Sequence, residues 1–271
     1  MSAGFCMLHT HSLYSDGADT MEALVRAAIE KKLSGLGFSD HAYAPYDTEC
    51  CMAEDALPRY LGEAARLKAK YADLIPLYCG LEGDSLHPID RAGLDYTIGS
   101  VHYLRGEDGV YTVDNTPADF EDALRYVGQG SPRRLVERYY AQIAHMLRTQ
   151  RHDIVGHLDL IKKLGGDHYF SQDAPWYLPA VEVAVDAIAH SGVIVEVNTR
   201  GNYRGHTADF YPSRPVLELL HARHIPVTIS SDAHCAQELD HSLAQAAELL
   251  RDVGYRSIRQ LGPAGFVDCG L

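Results

Sequence analysis

The sequence contains no long apolar run, no run of basic residues and no cysteine pair of the CxxC kind. A bilayer-spanning helix needs roughly 18 or more apolar residues in a row, so we expect neither an integral membrane protein nor a membrane partner. Lys and Arg occur at most as adjacent pairs, and the net charge is −13. Because clustered basic residues supply most of the affinity for nucleic acids, no nucleic-acid partner is expected. The first residues lack the pattern of a signal peptide, which predicts a cytoplasmic protein.

The cysteines show neither the spacing of a disulfide framework nor that of a thiolate zinc site. We therefore expect reduced thiols at Cys6, Cys50, Cys51, Cys79, Cys235 and Cys269. A chain of 271 residues can bury a core without disulfides. Since an α/β barrel typically takes about 250 residues, the length predicts one domain over residues 1–271. The oligomeric state is left open.

Short apolar strands alternate with amphipathic helices, which predicts an α/β fold whose strands pair in parallel through right-handed crossovers. The predicted strands are 5–8, 36–39, 75–81, 96–101, 154–156, 193–198 and 227–230, with a hairpin arm at 110–113. The predicted helices are 21–32, 57–71, 132–150, 178–190, 215–223 and 243–253. Asp19 and Glu22 have the spacing of a capping box for the first helix. The aperiodic segment 45–56 is expected to be a loop or lid, and the segment 43–54, which contains Cys50 and Cys51, is expected to shape substrate access.

Histidines and carboxylates follow nearly every predicted strand. They are His9, His11, Asp40, His41, Glu82, His102, His157, Asp159, Asp232 and His234, with Asn198 after the sixth strand. In a parallel α/β barrel the C-terminal strand ends converge on one face, where catalytic sites are built. The pattern therefore predicts that these nitrogen and oxygen donors meet.

Such a cluster indicates a metal site with several ions. Buried carboxylates repel one another and lose hydration, so they are stable when divalent cations neutralise them. Mixed imidazole and carboxylate ligands suit Zn, Mn or Fe, and the sequence does not choose among these metals. Histidines on predicted helices are interpreted as ordinary surface or core residues: His145, His190, His221 and His224.

The motifs around these donors resemble those of the PHP superfamily, the polymerase and histidinol phosphatase group. They are His9-Thr10-His11-Ser12, Ser15-Asp16-Gly17, Ser39-Asp40-His41, Gly80-Leu81-Glu82, Gly99-Ser100-Val101-His102, Gly156-His157-Leu158-Asp159 and Ser231-Asp232-Ala233-His234. Within the superfamily, the chain is most similar to the PHP-type histidinol-phosphate phosphatases. The resemblance implies a distorted seven-stranded (β/α) barrel with three divalent metal ions at the C-terminal ends of the strands.

The resemblance also implies a ligand set. One metal would be held by His9, His11, Glu82 and Asp232, a second by Glu82, His102 and His157, and a third by Asp16, His41 and His234. Glu82 would bridge two ions, and Glu82, Asp232 and His234 would serve catalysis with a metal-bound hydroxide. The implied reaction is hydrolysis of L-histidinol phosphate to L-histidinol and phosphate, a step of histidine biosynthesis.

A phosphate monoester also needs cationic groups for its oxygens, and the candidates after the fifth and sixth strands are Lys162, Arg200 and Arg204. Histidinol phosphate further carries an ammonium and an imidazole, which Asp84, Asp159 and Asp209 are expected to face. Three alternatives stay open: a PHP phosphoesterase acting on another small phosphate or nucleotide, a metal-dependent amidohydrolase, and a metal-binding module without catalysis. The group that protonates the leaving alkoxide is also open.

Overall fold

The computed structural model describes residues 4–271, and its centre is a sheet of seven parallel strands. In chain order the strands of this region are β1 (Cys6–Met7), β2 (Gly35–Phe38), β3 (Leu77–Asp84), β4 (Tyr96–Ser100), β5 (Tyr103–Arg105), β6 (Val110–Thr112), β7 (Ile154–Val155), β8 (Ile194–Asn198), β9 (Val227–Ser230), β10 (Ser257–Gly262) and β11 (Gly265–Gly270). The large sheet has the order β1-β2-β3-β4-β7-β8-β9. The other four strands form two antiparallel hairpins, β5–β6 and β10–β11.

The sheet curls until its two edges meet. Thr10, after β1, forms a parallel bridge with Ala233, after β9. The His11 N–H donates to the Ala233 carbonyl at 2.8 Å, and the Ala233 N–H donates to the His9 carbonyl at 3.2 Å. The strands therefore form a nearly closed barrel, and the closing bridge lies among the residues predicted as metal ligands.

Helices cover the outside of the barrel. Those in residues 4–271 are α1 (Met21–Glu30), α2 (Leu57–Lys70), α3 (Pro117–Tyr126), α4 (Pro132–Thr149), α5 (Lys162–Gly165), α6 (Tyr177–Ser191), α7 (Arg200–Tyr203), α8 (Arg214–Ala222) and α9 (Leu243–Val253), with a 3₁₀ turn at Ala236–Asp240. None of these helices is long and apolar enough to cross a membrane. Helix α1 buries Met21, Leu24, Val25 and Ala28, the one-face spacing of an amphipathic helix.

The predicted capping box of α1 is wrong. The N-cap residue is Thr20, whose Oγ1 accepts the Ala23 N–H at 3.2 Å. Asp19 instead accepts the Ala236 N–H at 2.8 Å, which joins the start of α1 to the turn after β9. Glu22 points outward and forms ion pairs with Arg66 and two other basic side chains.

A buried tyrosine connects several strands of the barrel. Tyr96 on β4 is fully buried, and its hydroxyl donates to the carbonyls of Leu8 and Phe38, the latter at 3.0 Å. The ring lies against Gly37 and Gly80, where an added Cβ would approach ring atoms to 2.9 Å and 2.5 Å. Glycine at both positions therefore makes room for the ring that joins β1, β2 and β4 through hydrogen bonds and packing.

The barrel class and its seven strands are confirmed, and the observed bounds differ from the predicted ones by up to three residues. The predicted arm at 110–113 is β6, paired with β5. Helices α3, α5 and α7 and the β10–β11 hairpin were not predicted. The single-domain assignment stays a prediction, and its first three residues lie outside the described chain.

Candidate metal centre

The barrel brings all nine predicted ligands together at the C-terminal ends of its strands. Their donor atoms form overlapping groups, each within 4.8 Å, that could hold an ion. The groups are His9–His11–Asp232, His9–Glu82–His157, His41–Glu82–His102 and His11–Asp16–His41–His234. The implied division into three separate ligand sets stays a prediction, because several side chains belong to more than one group.

Glu82 lies at the middle of the cluster, on β3, and is 1% exposed. Its Oε2 faces the imidazoles of His41, His9 and His11 at 3.0, 3.1 and 3.5 Å. Its Oε1 faces those of His157 and His102 at 2.9 and 3.6 Å. Burial alone would raise the pKa of this carboxyl, but the surrounding histidines hold it well below its usual range. An ionised carboxylate with imidazoles on both oxygens has the geometry of a bridging ligand.

Unsatisfied polar atoms test whether this cluster fits metal ions. Eleven buried side-chain nitrogen and oxygen atoms in the described residues have no hydrogen-bond partner, and six of them belong to the nine ligands. The six are His9 Nε2, His11 Nδ1 and Nε2, Glu82 Oε2, His157 Nδ1 and Asp232 Oδ1. Leaving so many buried polar atoms unpaired is costly, whereas coordination would satisfy them. The donor set therefore fits divalent cations.

Asp16 and His234 form the outer side of the cluster. Asp16 Oδ2 lies 3.1 Å from His234 Nε2, and Asp16 Oδ1 lies 3.6 Å from His11 Nδ1 and 3.8 Å from His41 Nε2. The loop carrying Asp16 is held by Asp40, which accepts hydrogen bonds from the Ser12 N–H and from the hydroxyls of Ser12 and Ser15. Asp40 therefore positions the loop instead of joining the ligands.

The chain turns sharply at Asp232. This residue adopts a positive φ of 51°, a left-handed conformation that Asp tolerates better than most residues. The turn allows both Asp232 and His234 to face the cluster, with Asp232 Oδ1 3.2 Å from His11 Nε2. Burial opposes ionisation of Asp232, but the nearby charge of His9 and the close contact with the His11 imidazole keep the pKa of Asp232 well below the usual range.

Sequence reasoning missed Glu196, which positions two of the ligands. Its Oε1 lies 2.6 Å from His9 Nδ1 and accepts from the Ser230 hydroxyl, while its Oε2 accepts from the His157 N–H at 2.8 Å and from Asn198 Nδ2 at 3.0 Å. A carboxylate on the far nitrogen of a metal-binding histidine fixes its tautomer and orientation. The available signal was an acidic residue inside strand β8, two positions before Asn198 and therefore on the same face of the strand.

The expectation for Lys162 is corrected. Its side chain is buried, and its ammonium donates to Asp159 Oδ2 at 2.8 Å and to the Phe210 carbonyl at 2.6 Å, away from the cavity that opens over the metal cluster. The next residue, Lys163, lines that cavity. The buried lysine and the accessible lysine are therefore neighbours, one residue apart on the same helical turn.

The arginines also differ from each other. Arg200 lines the cavity and donates to the Asp232 carbonyl at 2.9 Å and to Glu238 at 3.1 Å. Arg204 is half-exposed, pairs with the other oxygen of Glu238 and lies outside the cavity lining, and its role in phosphate binding stays a prediction. Nearby charges, among them Asp232, outweigh burial and raise the pKa of Arg200 above its already high value.

The three acids expected to face a cationic substrate are separated in the structure. Asp84 lines the cavity, Asp159 is buried against Lys162, and Asp209 is exposed outside the cavity. The expectation is therefore corrected for Asp159 and Asp209. Other acids replace them, because the cavity wall also includes Asp47 from the loop 43–54 and Asp114 after β6.

The loop 43–54 covers one side of the cavity. Asp47 Oδ2 accepts from the Tyr103 hydroxyl at 2.6 Å, which ties the loop to β5, and Cys50 and Cys51 lie beside it on the cavity wall. Burial, together with the charge of Asp47, raises the pKa of the Cys50 thiol to about 11, so this thiol is protonated at neutral pH. A protonated thiol is a poor metal ligand, which agrees with a cluster built from imidazoles and carboxylates.

The sequence matches a known protein family. The model of the PHP domain matches residues 7–200. The chain belongs to the PHP family. The "Probable histidinol-phosphatase" of Deinococcus radiodurans is 33% identical to this PHP protein, over 94% of this chain and 96% of the relative. The "Histidinol-phosphatase" of Bacillus subtilis is 25% identical, over 87% of this chain and 94% of the relative.

Solved structures agree on the fold of this PHP protein. The histidinol phosphate phosphatase of Lactococcus lactis, complexed with zinc, L-histidinol and phosphate, superimposes with a TM-score of 0.76 at 21% sequence identity. That match covers 98% of this chain and 100% of the other. The predicted family and the seven-stranded PHP-type barrel are therefore confirmed.

Proposed function

We propose that this PHP protein is a metal-dependent phosphomonoesterase that hydrolyses L-histidinol phosphate to L-histidinol and phosphate. The observation that carries the proposal is the buried cluster of imidazoles and carboxylates around Glu82, open to a cavity with basic side chains on its wall. The names of the relatives and the ligands of the Lactococcus structure support the substrate. The proposed partner is thus a small phosphorylated molecule.

Three divalent ions would be held by His9, His11, Asp16, His41, Glu82, His102, His157, Asp232 and His234. Zinc, manganese and iron all suit this donor set, and zinc is the metal of the Lactococcus complex. When bound, such ions neutralise phosphoryl oxygens and make a water acidic enough to act as the nucleophile at neutral pH. The protein then needs no seryl or cysteinyl nucleophile.

The protein's own residues bind and orient the substrate. Arg200 is held in place by Glu238 and the Asp232 carbonyl, so its guanidinium is an ordered cation on the cavity wall. Lys163 lines the same cavity with a longer, more flexible side chain. We assign these two cations to the phosphate oxygens that the metal cluster does not contact, and Lys163 takes the role first expected of Lys162.

The test is phosphate release by metal-analysed protein on L-histidinol phosphate, a sugar phosphate, a nucleoside monophosphate and a phosphodiester. We expect a preference for L-histidinol phosphate of about a hundredfold or more, roughly 2.7 kcal/mol of transition-state discrimination. Equal rates on all the monoesters would support a phosphatase activity but contradict L-histidinol phosphate as the preferred substrate. No hydrolysis by metal-loaded protein would reject the phosphatase and favour a binding module or different bond chemistry.

The variant Glu82→Gln tests the role of the cluster. Removing the central carboxylate charge should abolish turnover and lower the bound metal, because an amide cannot bridge cations as a carboxylate does. Glu30→Gln is the matched control, since Glu30 is exposed at the end of α1 and belongs to none of the groups that could hold a metal. Unchanged metal content in Glu82→Gln would contradict the assignment of Glu82 as a bridging ligand.

A further inference from the structure

The cavity wall carries three carboxylates outside the metal groups: Asp47, Asp84 and Asp114. A phosphate monoester that also carries a cation would need one of them. A carboxylate has about four acceptor positions, so the number already filled by protein donors shows which acid can still receive a ligand.

Two of these acids are fully engaged by the protein. Asp84 accepts four hydrogen bonds, from the Tyr46 hydroxyl and from the backbone N–H groups of residues 86, 102 and 103. Asp47 accepts from the Tyr103 hydroxyl and from the N–H groups of residues 49 and 50, and it also faces the Cys51 thiol at 3.8 Å. Both acids therefore organise the loop 43–54 and the start of β5.

Asp114 is different. Within residues 4–271, the Asp114 carboxylate accepts one side-chain hydrogen bond, from the Thr112 hydroxyl to Oδ1 at 3.1 Å. Its Oδ2 faces Lys163 Nζ at 3.6 Å, an ion pair too long for a good hydrogen bond. Both side chains line the cavity and are partly exposed, 19% for Asp114 and 23% for Lys163. A loose, partly hydrated pair of this kind separates at little cost.

We propose that Asp114 binds the ammonium group of the substrate, while Lys163 leaves it to contact the phosphate. This inference rests on the proposed function. In L-histidinol phosphate two carbon atoms separate the ester oxygen from the amine, so its positive and negative charges lie a few ångströms apart. A substrate with that charge arrangement replaces the Lys163–Asp114 ion pair with two ion pairs of its own. Asp114 thus determines specificity for an amino-alcohol phosphate over a phosphate without the amine.

The test compares Asp114→Asn with wild type on two substrates: L-histidinol phosphate and 3-(imidazol-4-yl)propyl phosphate, which lacks only the amine. On L-histidinol phosphate we expect kcat/KM to fall about tenfold to hundredfold, the usual effect of losing a hydrogen bond to a charged group, mainly through KM. On the amine-free analogue we expect no more than a twofold change. Asp108→Asn is the matched control, because Asp108 is exposed in the turn between β5 and β6 and outside the cavity lining.

The variant Asp114→Glu and the activity of the wild-type protein distinguish a wrong role for Asp114 from a wrong proposed function. Asp114→Glu keeps the charge and should recover part of the lost kcat/KM on L-histidinol phosphate, which a merely structural role of Asp114 would not explain. An equal loss on both substrates, or none on either, would overturn the role of Asp114 while leaving the proposed phosphatase intact. Failure of the wild-type protein to hydrolyse L-histidinol phosphate would instead overturn the proposed function itself.

Discussion

Glu196→Gln is the most informative substitution in the metal centre, because it changes one atom type in a fully buried side chain. Each carboxylate oxygen of Glu196 accepts from two donors: His9 Nδ1 and the Ser230 hydroxyl on one side, the His157 N–H and Asn198 on the other. A glutamine has one acceptor oxygen and one NH₂ group. Whichever way the amide turns, two donors meet another donor and lose their partner.

The magnitude follows from the role of His9. With its Nδ1 proton no longer bound by a carboxylate, the ring loses its fixed tautomer and orientation, and its Nε2 is a weaker ligand. Loss of such a supporting carboxylate typically lowers metal affinity about tenfold to hundredfold, which corresponds to roughly 1.4–2.7 kcal/mol. We therefore expect Glu196→Gln to bind metal about tenfold to hundredfold more weakly than the wild type. Its kcat/KM should fall when the metal concentration is limiting.

The assay is a metal titration against a competing chelator, followed by activity at rising metal concentration. Excess metal should restore much of the activity of Glu196→Gln, because the ligands themselves are intact. Glu248→Gln, an exposed position on α9, controls for the change of charge. Wild-type metal affinity in a folded Glu196→Gln protein would refute the reasoning, as would an activity loss that excess metal does not relieve.

Three other predictions concern the rest of the cavity and the barrel. Arg200→Ala should raise KM about tenfold to hundredfold and leave bound metal intact; metal loss would show that the arginine is structural. Gly37→Ala should destabilise the protein by about 1–3 kcal/mol through overpacking against the buried Tyr96, measured by urea unfolding. Gly62→Ala, at an exposed position of α2, should instead stabilise it slightly. Lys162→Met should cost about 3–5 kcal/mol of stability by leaving a buried carboxylate unpaired, whereas Lys163→Met should change kinetics and not stability.

The sequence predicted the parts of the molecule that repeat. Seven apolar strands with a donor after each one predict both the barrel and a metal cluster at a single face, since parallel strands place their ends together. Helix α3 and the β10–β11 hairpin lie outside this alternation and were missed. Glu196 was missed because it lies within β8, whereas donors were sought only at the positions that follow each predicted strand; Asn198, two positions further on, lies on the same face of β8.

The roles of the two lysines also could not be predicted from the sequence. Lys162 and Lys163 are adjacent, and neighbours on a helical turn point about 100° apart, so one faces the protein and the other the cavity. Which is which depends on where the turn begins. In the structure the turn α5 begins at Lys162, directly after the buried segment that carries Asp159. Only the three-dimensional contacts therefore distinguish the structural lysine from the accessible one.

Acceptor positions give a physical criterion for sorting the acids around the centre. Glu196 and Asp84 each accept four hydrogen bonds from the protein. All their acceptor positions therefore hold ligands and loops in place. Glu82, Asp232 and Asp159 each keep a buried oxygen without a hydrogen-bond partner in the described chain, but the charge of Asp159 is already neutralised by Lys162. Asp114 is partly exposed, and one of its oxygens faces only a loose ion pair. An unsatisfied buried oxygen is costly unless something binds it. This criterion supports the proposals that Glu82 and Asp232 bind metal ions at the barrel end and that Asp114 binds an ammonium group at the cavity wall.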